Sequence, residues 1–265
     1  MATNTPLRII SPLRRAPPDA AAALEPGEMA RISTMCSTCN LRELCVTCCG
    51  LTRSEMDAAD RLVIIRSRVR RGESLYRAGD RFSSLYAVRN GFFKSTAVLE
   101  NGRDQMTGFT MTGEVLGMDG IGPERHTCST IALEDSDVRA IPFARLQALA
   151  HEIPSLQRHF HRMMSTEIVR EQGVMLLLGS MNAEERVVIF LLNLSQRFAA
   201  HGFSPSEFNL RLTREEIGSY LSLKLETVSR TFSKFQEEGL IGVQQKFIRI
   251  LDRAGLERVM VREPD

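Results

Sequence analysis

Across residues 62–143 the apolar positions come in short runs broken by Gly72, Gly79, Gly91, Gly102, Gly113 and Gly117. This rhythm predicts short antiparallel strands wrapped into a sandwich or barrel. Residues 84–88 and 92–98 are the clearest strands, and Glu100-Asn101-Gly102 is placed to turn the chain back toward Met106. After Pro154 the period lengthens to that of a helix and holds to about Leu178. Alternating steps of four and three pick out His161, Met164, Ile168, Glu171, Met175 and Leu178, a seam of the kind two helices use to pair. The same spacing also fits a helix docked on its own sandwich. In a pair related by a two-fold axis, Glu171 would face its own copy; like charges then oppose association and leave the dimer marginal, unless the side chain leans into solvent.

A further helix is predicted from Asn182, where Glu185 three residues on completes a capping box, and its apolar face carries Val187, Ile189, Phe190, Leu191, Leu194 and Phe198. Thr213-Arg214-Glu215-Glu216 is a second capping box, opening a short helix that ends near Leu221. Ser222-Leu223-Lys224 makes a tight turn, and a longer helix runs over 225–238 with Gly239 as its stop. Gly218 lets the two helices approach, which is helix-turn-helix spacing. On the longer helix Glu226, Ser229 and Arg230 share one face, while Val228, Phe232 and Phe235 turn inward. These polar types suit base edges: Arg forks onto guanine, Glu accepts from cytosine N4, and Ser serves either role. Lys224, Thr227 and Lys234 are placed for phosphates. Residues 243–251, alternating around Lys246, predict the hairpin wing of a winged helix. A helical protein-interaction domain with a charged face is the alternative.

Length and charge change this picture only slightly. A chain of 265 residues exceeds the usual single domain. Residues 182–265 hold twelve Lys and Arg against twelve Asp and Glu, so DNA binding must be argued from local placement. No apolar run reaches the ~18 residues of a membrane span, and no secretory signal pattern opens the chain; a cytoplasmic location is expected. Residues 1–33 mix Pro, Ala and scattered charge and are expected to form a mobile tail. The segment 34–52 carries Cys36, Cys39 and Cys45 in C-x2-C-x5-C spacing, followed by Cys48 and Cys49. In a reducing compartment such a cluster reads as a metal or redox centre rather than as disulfides. The expected organisation is therefore a tail, the cysteine segment, a β domain over 53–150, a dimerisation helix over 151–181 and a DNA-binding domain over 182–265.

The segments Gly79-Asp80 with Ser84-Leu85-Tyr86-Ala87, Ala132-Leu133-Glu134 with Ile141-Pro142-Phe143, and Leu176-Leu177-Leu178 are of low degeneracy. So are Asn182-Ala183-Glu184-Glu185-Arg186, Gly202-Phe203-Ser204 and Glu226-Thr227-Val228-Ser229-Arg230. Together they make residues 36–256 resemble the FNR-type regulators of the cyclic-AMP receptor protein superfamily. The resemblance implies an α+β fold: a cyclic-nucleotide-binding-like β-roll, a long dimer helix and a C-terminal winged helix. It implies a homodimer on double-stranded DNA at a two-fold site of the kind TTGAT-N4-ATCAA, with Glu226, Ser229 and Arg230 at the base-reading positions. It further implies an oxygen-labile 4Fe-4S cluster that drives dimerisation, and RNA polymerase contact through exposed β-roll loops, one matched by residues 100–103.

One departure concerns the cluster. Family members use three N-terminal cysteines and a fourth just before the Ile-Pro-Phe segment, where this chain has Arg139. A guanidinium is no iron ligand. Cys128 lies eleven residues upstream. If 133–136 turns a hairpin, Cys128 stands strand steps of ~3.3 Å each away from the partner of position 139. Cys48 is the other candidate, since Cys36, Cys39, Cys45 and Cys48 could hold zinc or an iron-sulfur cluster locally. A chain without a stable cofactor is the third option. Cyclic-nucleotide sensing is a rival signal, with Gly113-Glu114 and Arg125 loosely matching a ribose and phosphate pattern. An enzyme is disfavoured: neither a metal-protease motif nor a phosphate loop is present, and His126, His151, His159 and His161 sit beside no nucleophile at a known spacing.

Overall fold

Short strands form where the glycine-punctuated runs predict them. The structure is a computed structural model, and it describes residues 65–100 and 102–260. The predicted tail and the cysteine segment lie outside the described residues. Strands β1 (Ile65–Val69), β2 (Ser74–Tyr76), β3 (Ser84–Asn90), β4 (Phe92–Val98), β5 (Asp104–Met111), β6 (Val115–Leu116), β7 (Ser129–Ala132) and β8 (Ser136–Pro142) fold into two antiparallel sheets. Their orders are β1-β8-β3-β6 and β2-β7-β4-β5, so β5 is an edge strand. Val69, Tyr76, Val88, Phe93, Leu116, Ala132 and Val138 fill the space inside. β4 and β5 form the predicted hairpin, with Leu99 N–H donating to Arg103 O at 2.9 Å.

The supposed hairpin at 133–136 does not exist. β7 pairs with β2 and β4, whereas β8 pairs with β1 and β3, so the chain crosses there from one sheet to the other. Beyond β8 a helix the sequence reading omitted, α1 (Phe143–Glu152), buries only Leu146 and Ala150. Two buried positions leave too weak a periodic signal to separate it from the strands before it.

The seam helix is α2 (Pro154–Ser180); of its 27 residues only Leu156 and Leu177 are buried. Next comes α3 (Ala183–Ala200), opened by the predicted capping box: Asn182 Oδ1 accepts from Glu184 and Glu185 N–H, and Glu185 Oε2 accepts from Asn182 N–H at 2.8 Å. β9 (Glu207–Asn209), α4 (Arg214–Leu221), α5 (Leu225–Glu237), β10 (Ile241–Gln244), β11 (Phe247–Ile250) and α6 (Arg253–Val259) complete a winged helix. β10 and β11 are the predicted wing, while β9 and α6 were too short to be legible as periods. Phe92, Met106, Phe109 and Met111 of the β-roll share one core with Val188, Phe190, Ile217 and Phe235 of the C-terminal part.

Candidate nucleic-acid interface

The reading element is built by two local devices. Thr213 caps α4, its Oγ1 accepting from Glu216 N–H at 3.1 Å while Glu216 Oε2 accepts from Thr213 N–H at 2.8 Å. At the other end Ser222 takes a left-handed conformation (φ 55°) and Leu223 N–H donates back to Gly218 O at 2.9 Å. A Cβ at Gly218 would fall 2.6 Å from Leu223 O, so only glycine lets the turn close this tightly.

α5 then splits by face. Val228, Thr231, Phe232 and Phe235 are buried, and Thr231 Oγ1 donates to Thr227 O at 2.9 Å rather than staying unpaired in the core. On the outward side Lys224, Glu226 and Arg230 are exposed, with Ser229 and Thr227 half-buried beside them. Neither Glu226 nor Arg230 is held in an ion pair among the described residues. Lys234 differs from expectation: its Nζ lies 2.6 Å from Glu184 Oε1 at the start of α3, so it ties α5 to α3 instead of standing free for a phosphate.

Arg214 is a residue the sequence reading overlooked. Its guanidinium lies 3.4 Å from the centre of the Phe232 ring, and Nη1 is buried without a hydrogen-bond partner. Burial pushes its pKa down to about 10. The cation is desolvated against the aromatic face and joins the first turn of α4 to α5. The signal available in sequence was its position directly after the capping Thr213.

Comparison with known proteins bears on this geometry. Residues 185–259 match the Crp-like helix-turn-helix domain, and residues 66–152 match the cyclic nucleotide-binding domain. The chain is 44% identical over 228 residues to the transcriptional regulatory protein btr of Bordetella pertussis, covering 86% of this chain and 94% of that one. It is 41% identical over 224 residues to the fumarate and nitrate reduction regulatory protein of Escherichia coli strain K12, covering 84% and 89%. The chain belongs to the FNR-type transcriptional regulators. Among solved structures it is similar to FixK2 from Bradyrhizobium japonicum, at a TM-score of 0.70 and 29% identity over 77% of this chain and all of that one. The family is one of regulators with a DNA-binding helix-turn-helix, not of enzymes.

In this FNR-type regulator Arg139 and Cys128 face opposite ways. Val138 packs inside the roll, next to Cys128, whereas Ile141 packs under α1 with Leu85, Ala87 and Leu146. Alternation along β8 puts Arg139 on the Ile141 face, where it is 6% exposed and pairs across the sheet with Arg66 and Ala87. The Cys128 thiol points toward Asp119, donating to Oδ2 at 3.4 Å, and Asp119 also accepts from Thr127 and Cys128 N–H. Burial, then the Asp119 charge, pushes this thiol up to about 12, so it stays protonated. A protonated thiol is a poor ligand. His126, stacked on Tyr76 at 3.7 Å and 3.3 Å from Asp119, is a structural residue, as its spacing suggested.

A cavity of about 660 Å³ opens between the β-roll, α2 and the reading unit, lined among others by Tyr76, Phe109, Ile168, Met175 and Tyr220. Glu114 and Arg125, the pair matched to a nucleotide pattern, do not line it. Glu114 is committed to Arg197, and Arg125 is exposed with its guanidinium donating to Gly79 O at 2.8 Å. Along α2 the seam residues Ile168 and Met175 are 56% and 72% exposed; Glu171 is exposed and Met164 half-buried.

Proposed function

We propose that this regulator acts as a cytoplasmic homodimer reading a TTGAT-N4-ATCAA-like site through Glu226, Ser229 and Arg230. Thr227 and Lys224 contact phosphates. The observation that carries this reading is the two-faced α5: one side is locked into the core, and the other presents a carboxylate, a hydroxyl and a guanidinium without internal ion pairs. The reading predicts that the purified protein prefers the palindrome over scrambled competitor in a gel-shift or anisotropy assay. Equal affinity for the two duplexes would dismiss it.

Dimerisation through Met164, Ile168, Glu171 and Met175 is supported by the exposure of Ile168 and Met175 along one side of α2. Glu171 sits on that side. Replacing it by Ala is expected to raise the dimer fraction measured by analytical ultracentrifugation at a fixed concentration, since the like-charge opposition is removed. An unchanged monomer fraction would remove the repulsion argument. The exposed residues Glu100, Gly102 and Arg103 at the hairpin end, flanked by Val98 at 65% exposure, belong to the surface we assign to RNA polymerase.

The signal is oxygen or redox state, carried by the N-terminal cysteines. Among the described residues no group of three His, Cys, Asp or Glu side chains is arranged to hold a metal, and position 139 offers a guanidinium. A 4Fe-4S cluster must therefore draw on Cys36, Cys39 and Cys45, which lie outside the described residues. For the fourth donor, the inward face and protonated state of Cys128 tell against it, whereas Cys48 keeps a local spacing. A cluster there would supply the sensitivity to oxygen. Anoxic reconstitution with iron and sulfide, with iron counted per chain in the wild type, Cys48→Ala and Cys128→Ala, separates the options: loss of iron only in Cys128→Ala would reinstate Cys128.

A further inference from the structure

The β-roll and the reading unit are joined by more than the link at Met181. β5 is an edge strand, and edges need cover. The ladder between β4 and β5 passes from Ser95↔Gly108 to Thr96↔Met106, leaving Thr107 as a bulge where α4 docks. There Met106 N–H donates to Ser219 Oγ at 2.9 Å, Gln105 Nε2 donates to Ser219 O, and Lys94 Nζ meets Glu216 at 2.7 Å. The open edge is thus closed by the helix whose Gly218 holds the turn into α5.

A second tie is buried. Gly113 (φ 89°) packs so close to α3 that a Cβ would fall 2.3 Å from His201 Nδ1, and this approach brings Glu114 to Arg197. Glu114 accepts from Arg197 Nε at 2.8 Å and Nη2 at 2.5 Å, and from Met111 N–H at 3.0 Å. Arg197 also donates to Phe109 O at 2.8 Å and lies 4.2 Å above the Phe109 ring. The two side chains are 16% and 11% exposed. With the shared apolar core between them, the two ties make the reader and the roll one body, whereas domains joined by small polar contacts ordinarily move against each other.

We propose that this seat, Glu114 with Arg197 and Ser219 on the β5 edge, fixes the separation of the two reading helices and makes the dimer selective for the spacer between half-sites. The inference rests on the dimeric DNA-reading function above. Two half-sites must meet two helices at a set distance. α2 leaves the roll carrying the dimer seam, so a reader seated on the roll is held at a constant distance from the two-fold axis. A reader swinging on the Met181 link would bind several spacings at an entropic cost in affinity.

The test compares wild type, Glu114→Gln and Ser219→Ala on duplexes with three-, four- and five-base spacers and on a lone half-site, with dimer fraction and thermal unfolding followed in parallel. Wild type is expected to lose about a hundredfold on the wrong spacers, because avidity of roughly 10²–10⁴ disappears when both sites cannot be engaged together. In the folded variants that ratio should shrink below about tenfold while half-site affinity stays unchanged. Uniform weakening on every duplex, or an unaltered spacer ratio, overturns the inference; should Glu114→Gln fail to fold, the Ser219→Ala ratio decides. A wild type without preference for any palindrome overturns the functional reading itself, and the seat's proposed role with it.

Discussion

Arg230→Ala is expected to abolish sequence-specific binding while leaving the protein folded and its weak, salt-sensitive attraction for DNA in place. Arg230 is exposed on α5, away from the buried Val228, Phe232 and Phe235, so truncation opens no cavity. On the proposed reading its guanidinium forks onto the two acceptors of a guanine, a contact whose loss costs ~1–3 kcal/mol. A dimer on two half-sites would make it twice, so the total is roughly 2–6 kcal/mol, about thirtyfold to twenty-thousandfold in affinity. The loss should be confined to duplexes carrying the cognate base pair, and discrimination at that position should relax. Lys224→Ala, by contrast, should weaken all duplexes alike and reduce the salt dependence. Competition titrations with single-base variants of the palindrome check both. If Arg230→Ala retained full preference for the cognate pair, the reading face would lie elsewhere on the winged helix.

The helix-turn-helix and its two-faced second helix were legible in sequence because every feature that builds them is local. Capping at Thr213 and Asn182, the Gly218 approach and the four-residue step from Glu226 to Arg230 each depend on neighbours within one or two turns. The strands β3 and β4 were legible for the same reason. What escaped depended on contacts far apart in the chain. Whether 133–136 turns back or crosses over is decided by which sheet accepts β8, and no short window records that. Lys234 looked like a phosphate contact because Glu184, fifty residues earlier, cannot be paired with it by spacing. The Glu114–Arg197 tie, across 83 residues, was invisible for that reason, and the Gly-Glu pair was matched instead to a nucleotide pattern. The departure at Arg139 was plain from sequence, but its consequence for Cys128 needed the strand alternation that puts the two on opposite faces.

Arg197→Leu should be the most damaging single substitution in the described structure. It leaves Glu114 buried without its main partner, and breaking a buried pair from one side costs about 3–5 kcal/mol, a large share of the ~5–15 kcal/mol that holds a domain folded. His201 Nε2, 3.8 Å from Glu114 Oε1, and the Met111 N–H remain, which places the loss toward the lower end. At ~2–4 °C per kcal/mol for a chain of this size, the melting temperature should fall by roughly 6–20 °C. The pH dependence identifies the cause. Burial alone would raise the pKa of Glu114, but Arg197, with His201, overrides it and holds the carboxyl well below its usual 4.5. A depressed native pKa contributes stability that is present above 4.5 and lost as pH falls toward the native value. In Arg197→Leu burial dominates instead, the native pKa rises above 4.5, and the mutant regains stability on acidification as the carboxyl protonates. The gap between wild type and mutant in urea or thermal denaturation should therefore narrow from pH 7 toward pH 5. Adding Glu114→Leu should restore much of the loss at neutral pH, since a well-packed apolar pair replaces a buried ionic one at little cost. A gap that stayed constant with pH, with no rescue by the second substitution, would assign the damage to lost packing on Phe109 and not to the stranded charge.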